Sequence, residues 1–143
     1  MSFKVIGLNH IGLAPKDSKV ASHFFKTLLE LPLEGEEEVS SQKVNTIMFS
    51  STAESQNPAA TRLEILEPTS SDSPIQKFLD KKGSGVHHLA LTVTNVQAAI
   101  DHLLKNEIIM IDESPRPGAH NTSIAFVHPK STGGLLVELV QQL

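Results

Sequence analysis

The feature that most constrains the fold of this chain is an internal repeat. Residues Leu8–Ala14 read LNHIGLA, and Val86–Thr92, 78 positions later, read VHHLALT. A capping residue follows each copy, Asp17 in the first and Asn95 in the second, and apolar residues at helical spacing come directly after it. Self-similarity of this kind predicts two copies of one structural unit, each beginning with a strand that leads into a helix.

A second pair of matching segments ends each half. Arg62–Leu66 and Leu135–Val140 are apolar strands, and a single glutamate interrupts each of them. Before them, Lys43–Ser50 and Thr122–His128 are predicted strands bounded by turn-rich segments. The sequence therefore predicts an α+β fold in one domain over residues 1–143, with two halves of like pattern, about 1–84 and 85–143.

The connecting segments give further expectations. The first helix should follow the Asp17 cap and end near Pro32. The apolar residues that give it helical spacing are Val20, Phe24, Phe25, Leu28 and Leu29. Pro74–Leu79 is typical of a short helix with proline in its first turn, whereas Pro115–Ala119 is expected to form a stiff loop that carries one cation.

Composition excludes several classes of function. Twelve Lys and Arg against sixteen Asp and Glu give a net charge of -4 without a basic stripe, which argues against nucleic acid as a partner. The longest apolar runs are four or five residues, too short to span a membrane, and we expect a cytoplasmic protein without a targeting segment. The chain has no cysteine, so any bound metal ion must be held by histidine and carboxylate.

Strand alternation indicates which residues could hold such an ion. His10 shares a strand face with Leu8 and Gly12, opposite Ile11 and Leu13. His88 is placed in the same way in the second copy. Glu64 and Glu138 lie on apolar strands, where an unpaired ionised carboxylate costs several kcal/mol. Two neutral imidazoles and two carboxylates at repeat-related positions supply four ligands, and together with one divalent cation they form a formally neutral site. By the same alternation, His87 turns toward the helix side.

Several segments of the sequence resemble those of a known family. His10-Ile11, Gly85-Val86-His87-His88, Pro117–His120 and the run His128–Leu139 resemble the vicinal oxygen chelate superfamily, and within it the methylmalonyl-CoA epimerases. The resemblance implies two βαβββ modules that form one curved, mostly antiparallel sheet around a metal site. It also implies a divalent ion (Co²⁺, Zn²⁺, Ni²⁺ or Mn²⁺) on His10, Glu64, His88 and Glu138, an acyl-CoA substrate and a homodimer.

The implied activity is epimerisation of methylmalonyl-CoA by transfer of its α-proton, with Glu138 as one base. Family members commonly carry acids where this chain has Ser41 and Thr46, so the second base is open and Glu38 is the candidate. The run Glu36–Glu38 otherwise predicts a solvated segment that leads into a strand. Alternatives are an isomerase like glyoxalase I, with a similar ligand set, and a metal-free binding protein of the same fold. An extradiol dioxygenase is disfavoured because it needs only three protein ligands.

Overall fold

The computed structural model describes residues 2–143 and contains two βαβββ modules with a helix between them. The strands are β1 (Val5–Ala14), β2 (Leu33–Val39), β3 (Val44–Ser50), β4 (Arg62–Pro68), β5 (Gly85–Val93), β6 (Arg116–Gly118), β7 (Thr122–Val127) and β8 (Val137–Gln142). The α-helices are α1 (Ser18–His23), α2 (Pro74–Lys82) and α3 (Val96–Lys105). No helix within residues 2–143 is both long enough and apolar enough to cross a membrane.

The chain divides into two compact units by its internal contacts. The first unit is His10–His87, and the second unit joins the residues up to Asn9 to His88–Leu143. The division falls inside β1, so its first residues belong to the second unit, where the Asn9 amide donates to Thr92 Oγ1 at 3.1 Å. The predicted single domain, with modules 1–84 and 85–143, stays a prediction.

In the first unit the strands are hydrogen-bonded in the order β2, β3, β4, β1. The first two pairings are antiparallel, and β4 runs parallel to β1. Buried Val44, Leu66 and Ala14 pack with Ile75 of α2 on one face. On the other face, Phe49 is fully buried and its ring lies 6.0 Å from that of Phe25. This sheet therefore has helical cover on both faces.

In the second unit the order is β5, β8, β7, β6, with β5 parallel to β8 and the other two pairings antiparallel. Helix α3 begins after Asn95, whose side-chain oxygen accepts from Ala98 N at 2.9 Å. It buries Val96, Ala99 and Ile100 in the larger apolar cluster of the unit. The α+β class, the two βαβββ modules and the predominance of antiparallel pairing are confirmed.

The structure differs from the expectation in three elements. The helix after Asp17 keeps α geometry only to His23 and continues as a π-helical turn, Phe24–Leu28. Of the apolar residues expected on its buried side, Val20, Phe24, Leu28 and Leu29 are exposed. The segment Arg116–Gly118, expected as part of a loop, is the short strand β6, because β7 supplies a hydrogen-bonding partner. The glutamate run lies inside β2 rather than ahead of it.

Candidate metal centre

The first candidate pair is His10 and Glu64, both in the first unit. In the parallel ladder between β1 and β4, His10 stands opposite Arg62 and Gly12 stands opposite Glu64, so His10 and Glu64 share one face of the sheet. His10 Nε2 lies 3.5 Å from Glu64 Oε1, and each residue is 5% exposed. Both residues offer a ligand atom suited to a metal ion. The glycine opposite Glu64 places no side chain beside the carboxylate.

The second candidate pair is His88 and Glu138, both in the second unit. The parallel ladder between β5 and β8 sets Ala90 opposite Glu138, and Ala90 shares its face with His88. His88 Nε2 lies 3.0 Å from Glu138 Oε2, and the two residues are 5% and 6% exposed. The repeat in the sequence therefore corresponds to a repeat in geometry, because each unit buries one imidazole against one carboxylate.

Phe126 supports the second pair, and the sequence analysis did not identify it. It stands opposite Glu138 in the ladder between β7 and β8, and its ring meets the His88 ring edge-on, with centroids 5.6 Å apart. The Arg116 guanidinium lies 5.5 Å from the centroid of the same ring and 3.0 Å from Asp112, whose carboxylate also accepts from Phe126 N. The signal that identifies Phe126 is the alternation of residues along β7, combined with the pairing of that strand with β8.

The donor chemistry of the two pairs fits a divalent cation. Neutral imidazole nitrogen and carboxylate oxygen are ligands for first-row divalent metals. A buried carboxylate faces an imidazole in each pair, and a cation bound there would coordinate both groups while removing the cost of the buried negative charge. The residues present therefore suit the ion that the sequence predicts. The ion would be held by side chains on strands, which keep ligand positions fixed.

Glu38, the predicted second base, does not share a face with Glu64, and two further histidines have local contacts. Glu38 stands opposite Asn45 in the ladder between β2 and β3, which places it on the face opposite Glu64. The His87 ring packs edge-on against Phe78 of α2 at 4.9 Å, so it turns toward a helix as expected. His128 Nδ1 accepts from Lys130 N and caps a short 3₁₀ turn. The structure therefore does not bring Glu38 to the Glu64 pair.

The chain is similar in sequence to a known protein family and to individual proteins. The family model for the glyoxalase/bleomycin resistance protein/dioxygenase superfamily matches residues 9–126. The chain belongs to this superfamily. Two similar proteins match the chain over 94% of its length. The uncharacterised protein YqjC of Bacillus subtilis is 37% identical over 134 residues, which cover 91% of that protein. The mitochondrial methylmalonyl-CoA epimerase of Homo sapiens is 36% identical over 135 residues, which cover 73% of it.

Two solved structures share the fold of this chain. A methylmalonyl-CoA epimerase in complex with methylmalonyl-CoA and NH4+ matches with a TM-score of 0.88 at 30% identity, covering 97% of this chain and 96% of that one. The hypothetical protein BH1468 from Bacillus halodurans C-125 matches with a TM-score of 0.85 at 34% identity, covering 100% of this chain and 96% of that one. The resemblance to the vicinal oxygen chelate superfamily is thus confirmed, with epimerases among its similar members.

Proposed function

We propose that this protein epimerises methylmalonyl-CoA, with one divalent ion held by His10, Glu64, His88 and Glu138. The observation that carries the proposal is the pair of buried histidine–glutamate contacts at repeat-related positions. Relatives named methylmalonyl-CoA epimerase, one of them a solved structure of the same fold, support the choice of substrate. A homodimer belongs to the same proposal, and sedimentation at micromolar concentration tests it.

The reaction sets requirements that these residues suit. The α-carbon of the substrate lies between a thioester carbonyl and a carboxylate, so its proton is acidic, but an enolate must be stabilised when the proton leaves. A bound divalent ion supplies that charge neutralisation. Glu138 accepts the proton on one face of the α-carbon, and its placement on β8 beside His88 holds the carboxylate in a fixed direction. Inversion then requires a second proton donor on the opposite face.

The test combines metal content with proton exchange. The metal-loaded protein is incubated with methylmalonyl-CoA in deuterated water, and NMR follows loss of the α-proton signal. We expect exchange in the wild type, about one divalent ion per chain by elemental analysis, and loss of the ion in His10→Ala. His23→Ala is the matched control, because His23 is an exposed histidine on α1.

Two results would contradict the proposal. Absence of exchange in wild-type protein that contains its ion removes the epimerase function. Turnover of the hemithioacetal of methylglyoxal and glutathione by the same sample would then favour the isomerase like glyoxalase I. An active wild type without metal, or full metal content in His10→Ala, removes the metal site instead.

A further inference from the structure

The second unit carries a cationic residue on the sheet face that holds His88 and Glu138. In the ladder between β6 and β7, Arg116 stands opposite Ile124. Phe126, two residues farther along β7, stands opposite Glu138 in the ladder between β7 and β8. Directly opposite residues of antiparallel strands project to the same face, and residues two apart on one strand do so as well. Arg116 therefore projects to the same face as Glu138.

The side chain of Arg116 extends along this face toward the pair. Its guanidinium carbon lies 5.5 Å from the centroid of the Phe126 ring, although the direct neighbour of Arg116 in the ladder is Ile124. The centroid of the same ring lies 5.6 Å from that of the His88 ring. One phenyl ring thus contacts both the guanidinium and the imidazole.

Asp112 fixes the direction of the guanidinium. Its Oδ1 lies 3.0 Å from Arg116 Nε, and its Oδ2 accepts from the backbone N of Phe126 at 2.8 Å. Within residues 2–143, the two terminal nitrogens of Arg116 form no hydrogen bond or ion pair of their own. A guanidinium that is already oriented loses less conformational freedom when it binds a ligand. The terminal nitrogens are therefore oriented donors for an anion.

The surface between Arg116 and the pair is apolar. Ala90, Ile124, Phe126 and Val140 are buried and form one cluster. A carboxylate placed against such side chains loses hydration, which is unfavourable unless a donor or a cation compensates it. The Arg116 side chain is 35% exposed at the edge of this surface, so a ligand has access to it.

The proposed substrate has anionic groups of two kinds, the carboxylate of its acyl group and the phosphates of coenzyme A. The acyl group must lie beside Glu138, because that residue is the proposed base. The phosphates are separated from the thioester by the whole pantetheine arm, whereas the carboxylate is bonded directly to the α-carbon. The carboxylate is therefore the anionic group that comes close to a guanidinium one phenyl ring away from His88.

We propose that Arg116 binds the free carboxylate of the substrate and thereby selects acyl-CoA esters that carry one. This inference rests on the proposed function. A planar guanidinium matches the two oxygens of a carboxylate with two parallel N–H···O bonds. Because the carboxylate is bonded to the α-carbon, the contact also orients that carbon relative to Glu138.

The experiment compares two ligands of similar size. Malonyl-CoA carries the carboxylate, propionyl-CoA lacks it, and both contain coenzyme A. Calorimetry measures the dissociation constant of each ligand for metal-loaded wild type, Arg116→Gln and Arg116→Lys, and elemental analysis measures the metal content of each protein. Lys105→Gln is the control for net charge, because Lys105 is an exposed lysine on α3 of the same unit.

The expected result is a loss confined to the ligand with the carboxylate. Arg116→Gln should bind malonyl-CoA about 10- to 100-fold more weakly than the wild type does, since hydrogen bonds to charged groups are strong. Its affinity for propionyl-CoA and its metal content should stay unchanged. Arg116→Lys should keep part of the preference, because lysine retains the charge but not the planar pair of donors. Lys105→Gln should match the wild type.

Three results would overturn this inference. An unchanged preference for malonyl-CoA in Arg116→Gln shows that another group binds the carboxylate. An equal loss for both ligands shows that the arginine acts on coenzyme A or on the fold. Loss of metal in Arg116→Gln shows that it acts on the metal site through Phe126. These results leave the proposed function intact if the wild type inverts methylmalonyl-CoA. If the wild type binds neither ester, the proposed function fails, and the assignment of Arg116 fails with it.

Discussion

Replacing Glu138 by glutamine should have different effects on stability with and without metal. Glu138 is 6% exposed and lies 3.0 Å from His88 Nε2. Glutamine keeps the size of the side chain and one carbonyl oxygen as acceptor, but it removes the buried negative charge. In metal-free protein that change removes a desolvation cost, so we expect an unchanged or slightly higher melting temperature. In metal-loaded protein it removes an anionic ligand.

The size of the effect on metal-loaded protein follows from the linkage between metal binding and folding. At a free metal concentration 100 times the dissociation constant, binding stabilises the folded protein by about 2.7 kcal/mol. If loss of the carboxylate weakens binding on the order of 100-fold, the same metal concentration contributes only about 0.4 kcal/mol. For a chain of this length, about 4 °C per kcal/mol converts these values to metal-induced shifts of about 10 °C and about 2 °C.

Thermal unfolding with chelator and with excess metal measures both quantities for the wild type and Glu138→Gln. Glu113→Gln is the control, because Glu113 is an exposed glutamate of the same unit and should leave both melting temperatures unchanged. A full metal-induced shift in Glu138→Gln would refute the ligand assignment. A large drop in the metal-free melting temperature would refute the reasoning from the cost of burying charge.

Two further predictions concern other parts of the chain. Gly118→Ala should destabilise the protein by about 1–3 kcal/mol in denaturant unfolding, because the added Cβ would lie 2.6 Å from Ile124 Cγ2, whereas Gly85→Ala meets nothing within 4 Å and should cost little. Hydrogen bonding to Lys43 lowers the pKa of Asp72 from 3.8 to about 2. Lys43→Met should move the Asp72 titration seen by NMR back toward 3.8. Because the pKa is lower in the folded wild type, the stabilisation that Lys43 provides should be complete above about pH 4 and disappear as the pH falls through 2. Equal unfolding of the two alanine variants, or an unmoved Asp72 titration, would contradict these predictions.

The repeat and the alternation of residues were enough to predict the positions of the two buried pairs. Each predicted ligand is 5% or 6% exposed, because a polar side chain on an apolar strand face has few environments other than a paired, buried one. The helix caps were equally readable, since Asp17 and Asn95 both accept from backbone N–H groups of the first turn. The caps depend on local sequence alone, and the burial of the four residues follows from alternation within each strand together with the repeat.

Features that depend on pairing between strands were not predictable in the same way. The face of each glutamate in β2 depends on its register with β3, which follows from the 3₁₀ turn Ser40–Gln42 and from the left-handed conformation of Lys43 at φ 52°. The sequence offered Glu38 as the candidate second base, and the register places that residue on the face opposite Glu64. Strand β6 also depends on pairing with another strand, because three residues that include proline and glycine carry no strand signal of their own.

The glutamate run of β2 has a consequence for how copies of the protein meet. In the first unit β2 pairs with β3 and ends the order of strands, so its outer backbone groups have no neighbouring strand within that sheet. Such an edge is a template for pairing with an identical edge, which is a common start of aggregation. Three consecutive carboxylates repel a second copy of themselves, whichever face each one occupies. Glutamine variants of this strand are therefore best assayed at low protein concentration, since each one also weakens the protection against edge-to-edge association.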